Sequence, residues 1–200
     1  MKRISSHAKG VTLIELMVTL AIMAILAVFA VPAFRDSIRR NQVASSSNAL
    51  LADLSYARTE AASRGLVVSV CPSTDGQTCQ ATKTYDTGWM VYTYTPGSAV
   101  ANTAFSGASA TNLLLRYTQA RQGVSMQSNY TANNDVVSFD AQGQQLPTKT
   151  ATALKFVTCY RDNGTGTGTS TATVQGIELD LSTSGSTSTQ PWAVGAACTP

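Results

Sequence analysis

The sequence predicts an α+β fold: a long N-terminal helix, transmembrane in its first half and amphipathic in its second, packed on an antiparallel β-sheet head. Three observations predict it. An apolar run extends from Val11 to Phe34 with Glu15 as its only charge. Apolar residues then recur at three- and four-residue steps as far as Ala61. Beyond Gly65 they gather in short segments rich in β-branched and aromatic residues, bounded by Gly, Pro, Asn, Asp and Ser.

Residues 1–10 read as a basic leader carrying Lys2, Arg3 and Lys9. Residues 11–34 are the membrane half, since roughly 24 residues at about 1.5 Å rise can cross a hydrocarbon core of about 30 Å. An ordinary secretory signal has a shorter apolar region with a small-residue cleavage site beyond it, whereas this leader stops at Gly10, before the run begins. Glu15 has two readings from chemistry alone. A charge at mid-membrane depth costs about 2.5–3.5 kcal/mol and marks a functional candidate; near the membrane edge the same side chain simply snorkels. Pro32 removes a backbone hydrogen bond and is expected to bend the helix.

Residues 35–65 continue the helix as an amphipathic rod. Phe34, Ile38, Val43, Ala44, Leu50, Leu51, Leu54, Ala57 and Ala61 form its apolar face, with Arg35, Arg39, Arg40, Asp53, Arg58 and Glu60 largely between them. Arg64-Gly65 reads as the stop, a basic last turn followed by a glycine able to take the left-handed cap. A helix from Val11 to Arg64 would be about 80 Å long, so its second half must pack on something. Arg35, Arg39 and Arg40 lie so close to the span that lipid headgroups or neighbouring helices are their expected partners.

Residues 66–200 form the head. Seven strands are expected, over 66–71, 88–94, 112–117, 123–126, 136–139, 154–159 and 176–181, antiparallel because no helix separates them. Strands near Val91, Phe139 and Phe156 are expected to carry Leu50, Leu51, Leu54 and Ala57. Residues 95–111, 163–173 and 182–190 are Gly-, Ser-, Thr- and Ala-rich and read as mobile loops, lacking the apolar content to offset their ordering entropy.

Of 14 basic residues in the 200, three lie in the leader, leaving 11 against 11 acidic ones; from Leu66 onward six basic residues stand against seven acidic ones, so the head has no basic excess to attract nucleic acid. The one histidine, His7, is also in the leader. Without it the rest of the chain has no histidine triad or histidine metal ligand. Asp135 and Asp140 flank a strand as turn residues do, and Gly164-Thr165-Gly166-Thr167-Gly168 lacks the Gly-Lys-Ser/Thr ending of a phosphate loop. No catalytic group, cofactor or metal is expected. Cys71, Cys79, Cys159 and Cys198 lack zinc-knuckle spacing, and their even number beyond the helix fits two disulfides in an oxidising compartment. They place the head outside the cytoplasm, which the balanced basic flanks of the span do not decide. In Cys71-Pro72-Ser73-Thr74-Asp75-Gly76-Gln77-Thr78-Cys79, the Asp-Gly turn and a Cys71–Cys79 bridge would fix a small irregular knob. Trp89, in Gly88-Trp89-Met90-Val91-Tyr92, reads as a core anchor.

Gly10-Val11-Thr12-Leu13-Ile14-Glu15-Leu16 resembles the class III signal of type IV prepilins and type II secretion pseudopilins. The CPSxDGxxC stretch and the glycine-tryptophan strand resemble the GspH/FimT family, closest to its FimU and FimT branch. The resemblance implies a pilin-like fold, cleavage by prepilin peptidase between Gly10 and Val11, N-methylation of Val11, and Glu15 pairing with an N-terminal amine in filament assembly. Val11 departs from the usual Phe, a change that cleavage tolerates. Cys159 and Cys198 become the second disulfide. Members implicated in DNA uptake carry Gly-Arg-x-Arg after a late strand; here Gly185 is followed by Ser186-Thr187-Ser188, which supplies no cation for phosphate.

The resemblance thus implies a minor pilin of a type IV pilus, a structural subunit of its priming or tip complex, and not an enzyme. Alternatives are a type II secretion pseudopilin and a DNA-binding minor pilin. Expected partners are other minor and major pilins through the N-terminal helix, prepilin peptidase, inner-membrane lipid and a tip adhesin, but not nucleic acid. The expected place is the bacterial inner membrane, single-pass with a periplasmic head, and then the pilus or pseudopilus.

Overall fold

A computed structural model describes residues 10–94, 103–105, 107, 112–129, 136–146, 153–162 and 164–200. The leader before Gly10, most of the 95–111 stretch, Asp135 and Asn163 lie outside the described residues. The chain forms two compact units, one ending at Ile38 and one beginning at Arg39.

Helix α1 runs Leu13–Arg64 and includes Pro32. Its end follows from local chemistry: Gly65 takes φ +65° and the Leu66 N–H reaches the Ala61 carbonyl at 3.3 Å, the six-to-one bond of a Schellman cap. Up to Phe34 every large apolar side chain is exposed, from 49% at Val31 to 78% at Leu13.

In the second unit, α1 buries Val43, Ser46, Ser47, Leu50, Asp53, Leu54, Ala57 and Ala61, one face at three- and four-residue steps. The strands are β1 (Val68–Pro72), β2 (Gly88–Tyr94), β3 (Asn112–Gln119), β4 (Val124–Ser128), β5 (Val137–Phe139), β6 (Leu154–Tyr160), β7 (Ile177–Leu181) and β8 (Thr187–Pro191). They make two four-stranded sheets, ordered β3-β2-β1-β5 and β4-β6-β7-β8, with antiparallel pairing throughout.

Among the described residues the head thus has two antiparallel sheets with eight strands, one strand more than expected. The additional strand, β8, occupies a stretch expected to be a mobile loop. It pairs with β7 in register from Leu181↔Thr187 to Ile177↔Pro191, while four of its five residues are exposed. Its order comes from the backbone ladder, which polar composition does not advertise. The Gly-Thr stretch is also better anchored than expected at its far end: Gly168 is buried, and Thr169 bridges to Ala197.

One core joins the helix to both sheets. Leu50, Leu54, Ala57 and Ala61 meet Val68, Val70, Trp89 and Val91 from the first sheet, and Met126, Phe156, Leu179 and Leu181 from the second, with Phe139 and Tyr85 among them. The expected seat of the helix on Val91, Phe139 and Phe156 is present, with Leu51 packed at its margin. Full burial of Leu50 or Leu54 is worth about 1.5–3 kcal/mol each. Strand β2 is buried along its whole length because its two faces serve different cores. Trp89 and Val91 face the helix cluster, whereas Met90, Tyr92 and Tyr94 join Cys71, Phe105 and Val136.

Candidate functional site

At the N-terminal end, Gly10 and Val11 precede the helix and are exposed, and a side chain added at Gly10 would meet nothing within 4 Å. Thr12, just before the first helical residue, caps the helix. Its Oγ1 accepts the Glu15 N–H at 3.3 Å and its carbonyl accepts the Leu16 N–H at 3.1 Å. Thr12-Leu13-Ile14-Glu15 thus has the Thr-x-x-Glu form of a capping box, a local signal that the charge pattern alone concealed. Glu15 lies in the first turn, where the helix dipole favours a carboxylate. Thr19 donates its hydroxyl to the Leu16 carbonyl at 2.9 Å, so it needs no partner outside the helix.

Polar contacts from Asp53, Arg58 and Arg39 fasten the second half of α1 to the head. Asp53, grouped with the solvent-facing charges by sequence pattern, is 4% exposed. It accepts hydrogen bonds from Trp89 Nε1 at 2.8 Å, Thr118 Oγ1 at 2.6 Å and Arg116 Nη1 at 2.7 Å. Three donors on one carboxylate are what burial of that charge requires. Trp89 is the expected core anchor, and its indole N–H also holds the helix through Asp53. The Arg116 guanidinium also lies 4.1 Å from the centre of the Tyr56 ring. Farther along, Arg58 Nε donates to the Gly143 carbonyl at 3.0 Å.

Arg39 is the third fastening. Expected to meet lipid or a neighbouring helix, it instead stacks 4.8 Å over the Tyr160 ring and pairs with Asp162 at 3.4 Å, both in the head.

Cys71 and Cys79 are bridged with Cα atoms 5.6 Å apart, and Cys159 and Cys198 with Cα atoms 6.0 Å apart. Inside the first loop, Asp75 Oδ1 accepts the backbone N–H groups of Gln77 at 2.8 Å and Thr78 at 3.0 Å, and the Ser73 hydroxyl at 3.1 Å. Those backbone donors first, then the side-chain ones, bring the carboxyl down from 3.8 to about 2. Gly76, at φ +69°, sits where a side chain would strike the Tyr117 ring at 2.9 Å. Tyr117 in turn donates its hydroxyl to the Thr74 carbonyl at 2.8 Å. The knob is thus tied to β3 as well as closed by its own bridge.

Asp140 and Lys155 make contacts within the head. Asp140 accepts the N–H groups of Gln142 at 3.0 Å and Gln144 at 2.8 Å, the turn role expected of it. Lys155 pairs with Glu178 and lies 3.6 Å from Asp180; the bond to Glu178 chiefly raises its pKa. Among the described residues no group of three or more His, Cys, Asp or Glu could hold a metal ion.

A family model described as "Type II transport protein GspH" matches residues 46–189, and one described as a prokaryotic N-terminal methylation motif matches residues 5–31. Type IV major fimbrial protein FimA of Dichelobacter nodosus is 56% identical over 48 residues, which are 24% of this chain and 29% of that protein. A fimbrial protein of the same organism is 59% identical over 39 residues, 20% of this chain and 24% of that one. This chain thus spans less than a third of the curated relatives it matches. The crystal structure of type IV minor pilin FimU of Pseudomonas aeruginosa superposes with a TM-score of 0.51 at 22% identity, covering 80% of this chain and 96% of FimU, a likeness of fold.

Proposed function

This chain belongs to the GspH family of pilin-like minor pilins and pseudopilins, structural subunits that assemble with other pilins, and on that premise we propose that it serves in a type IV pilus as a minor pilin of the priming or tip complex. One observation carries the reading: the exposed apolar surface of α1 from Leu13 to Phe34, with a carboxylate in its first turn. Before assembly that surface lies in the inner membrane, with the head in the periplasm. After assembly the helices of other pilins replace the lipid.

Prepilin peptidase cuts between Gly10 and Val11. A side chain at Gly10 would meet nothing within 4 Å, so the fold itself makes no demand for glycine there, which supports a role in recognition by the peptidase. The new amine of Val11 is then methylated, and Glu15 neutralises such an amine in the packed filament so that its own charge is not buried unpaired. The head docks on other minor pilins and, at the tip, on an adhesin.

A second reading, a type II secretion pseudopilin, is favoured by the description of the matching family itself. Pull-down of the full-length protein from its native membrane, read by mass spectrometry, separates the two. Minor pilins with a tip adhesin support the pilus; secretion-system pseudopilins move the same chemistry to the export machine.

A further inference from the structure

We propose that the outer edge of β3 pairs, antiparallel, with the same edge of a second copy of this chain, so that two heads share one continuous sheet. The four outer edges of the two sheets are not alike. β4 is covered by its own chain: Thr84 bridges to Gln127, the Tyr85 N–H bonds to the Met126 carbonyl at 2.8 Å, and the Ser128 N–H to the Lys83 carbonyl at 3.0 Å. β5 is covered by the turn that follows it, where Phe139 bridges to Gln145 and the Leu146 N–H bonds to the Ser138 carbonyl at 2.9 Å. β8 is open but polar, and it ends in Pro191, which has no N–H to offer an incoming strand.

β3 is open and apolar. It closes the first sheet, and among the described residues no strand or bridge lies on its outer side. Among the described residues of the second unit, the exposed large apolar side chains are Leu113, Leu114 and Val194. Two of the three, Leu113 at 53% and Leu114 at 36%, are neighbours on this strand. Such an edge takes up another strand unless charge, proline or a cover prevents it. The one charge on β3 is Arg116, which is neutralised by Asp53 at 2.7 Å and stacks on Tyr56 in the same head. It is spent on the helix and does not guard the edge.

The pattern of β3 selects the occupant. Leu114 lies opposite Tyr92 and Leu113 opposite Thr93, so the two leucines stand on opposite faces of the sheet. A half-exposed strand alternates apolar with polar residues and would set a polar side chain against one of them. The strand that fits is apolar at consecutive positions. Leu113-Leu114-Leu115 is itself such a run, its last member half-buried against the helix core. Antiparallel pairing about a two-fold axis at the leucines lays each run on the other and holds the two Arg116 side chains at opposite ends of the contact. The contact is isologous, so it closes at two copies and does not propagate. An edge of eight residues is short for a stable interface, so the pair should dissociate on dilution.

The test is sedimentation velocity of the full-length protein in micelles over a range of concentrations, with backbone amide exchange read in parallel. A reversible dimer is expected, with the β3 amides protected as concentration rises. The Leu113→Lys/Leu114→Lys variant should dimerise about tenfold more weakly, having lost two apolar contacts and brought like charges together. Both leucines are exposed, so its melting temperature should stay near that of the natural protein. If the variant fails to fold, amide exchange on the natural protein decides alone. A protein monomeric at every concentration, a dimer indifferent to the two lysines, or β3 amides indifferent to concentration would overturn the proposal. An edge that takes the strand of a different pilin gives the first of these results, and a dimer held by the exposed apolar helix gives the other two.

Discussion

Asp53 of the helix and Trp89 of β2 are joined by a 2.8 Å hydrogen bond from the indole N–H to the carboxylate, with both residues buried. Thirty-six positions apart in sequence, they fix both the rotation and the height of α1 on the first sheet. Hydrophobic contacts tolerate sliding; a carboxylate held by three donors does not.

Replacing Asp53 by Ala should therefore cost about 3 kcal/mol, because Trp89 and Thr118 lose their acceptor and Arg116 its counterion. Arg116→Ala should cost less, since that side chain is 45% exposed. Denaturant melts of the full-length protein in micelles would show the order, and equal losses would contradict the ranking.

Gly10→Leu should leave the fold unchanged and block processing, leaving a precursor heavier by the leader in mass spectra. Glu15→Ala should be processed and inserted yet fail to enter filaments. Normal incorporation of Glu15→Ala, measured in sheared surface fractions, would remove the proposed amine pairing.

Asp75 gives a pH signature with a definite sign. Its folded pKa, about 2, lies below the ordinary 3.8, so its stabilising contribution is complete above about pH 4 and is lost as pH falls through 2. The stability gap between the natural protein and Asp75→Asn should be constant from pH 7 to about 4 and close near 2. A gap that closes above pH 5 would mean that another group is responsible.

The two disulfides should contribute unequally. On the chain-entropy account the Cys159–Cys198 bridge, with a separation of 39, is worth about 4 kcal/mol, and the Cys71–Cys79 bridge, with a separation of 8, about 2.5 kcal/mol. Paired Cys→Ser variants compared by urea melts would test the ordering.

Much of this fold is written in local patterns, and the exceptions share a cause. The end of α1 was readable at Gly65 and the segments of β2 and β6 from their β-branched and aromatic residues. β8 was not, because Thr187-Ser188-Thr189-Gln190-Pro191 gains order from pairing with β7 rather than from burial. Asp53 and Arg39 were misplaced for a related reason. A pattern that sorts charges outward cannot see Trp89, Thr118 or Tyr160, whose positions depend on long-range pairing. The split into two sheets was equally hidden, since β1 lies between β2 and β5 while β4 joins the other sheet. At the N-terminus the structure adds Thr12 as the cap of the helical turn that holds Glu15.

Because one face of α1 is packed against both sheets, the helix is also the handle by which the head can be pulled. Tension along it reaches the head as shear across Leu50, Leu54, Ala57 and Ala61 and across the Asp53 bonds, all at once rather than one after another. Loading in parallel resists rupture far better than peeling, so the head should stay folded under stretching forces that would unzip an edge strand such as β8.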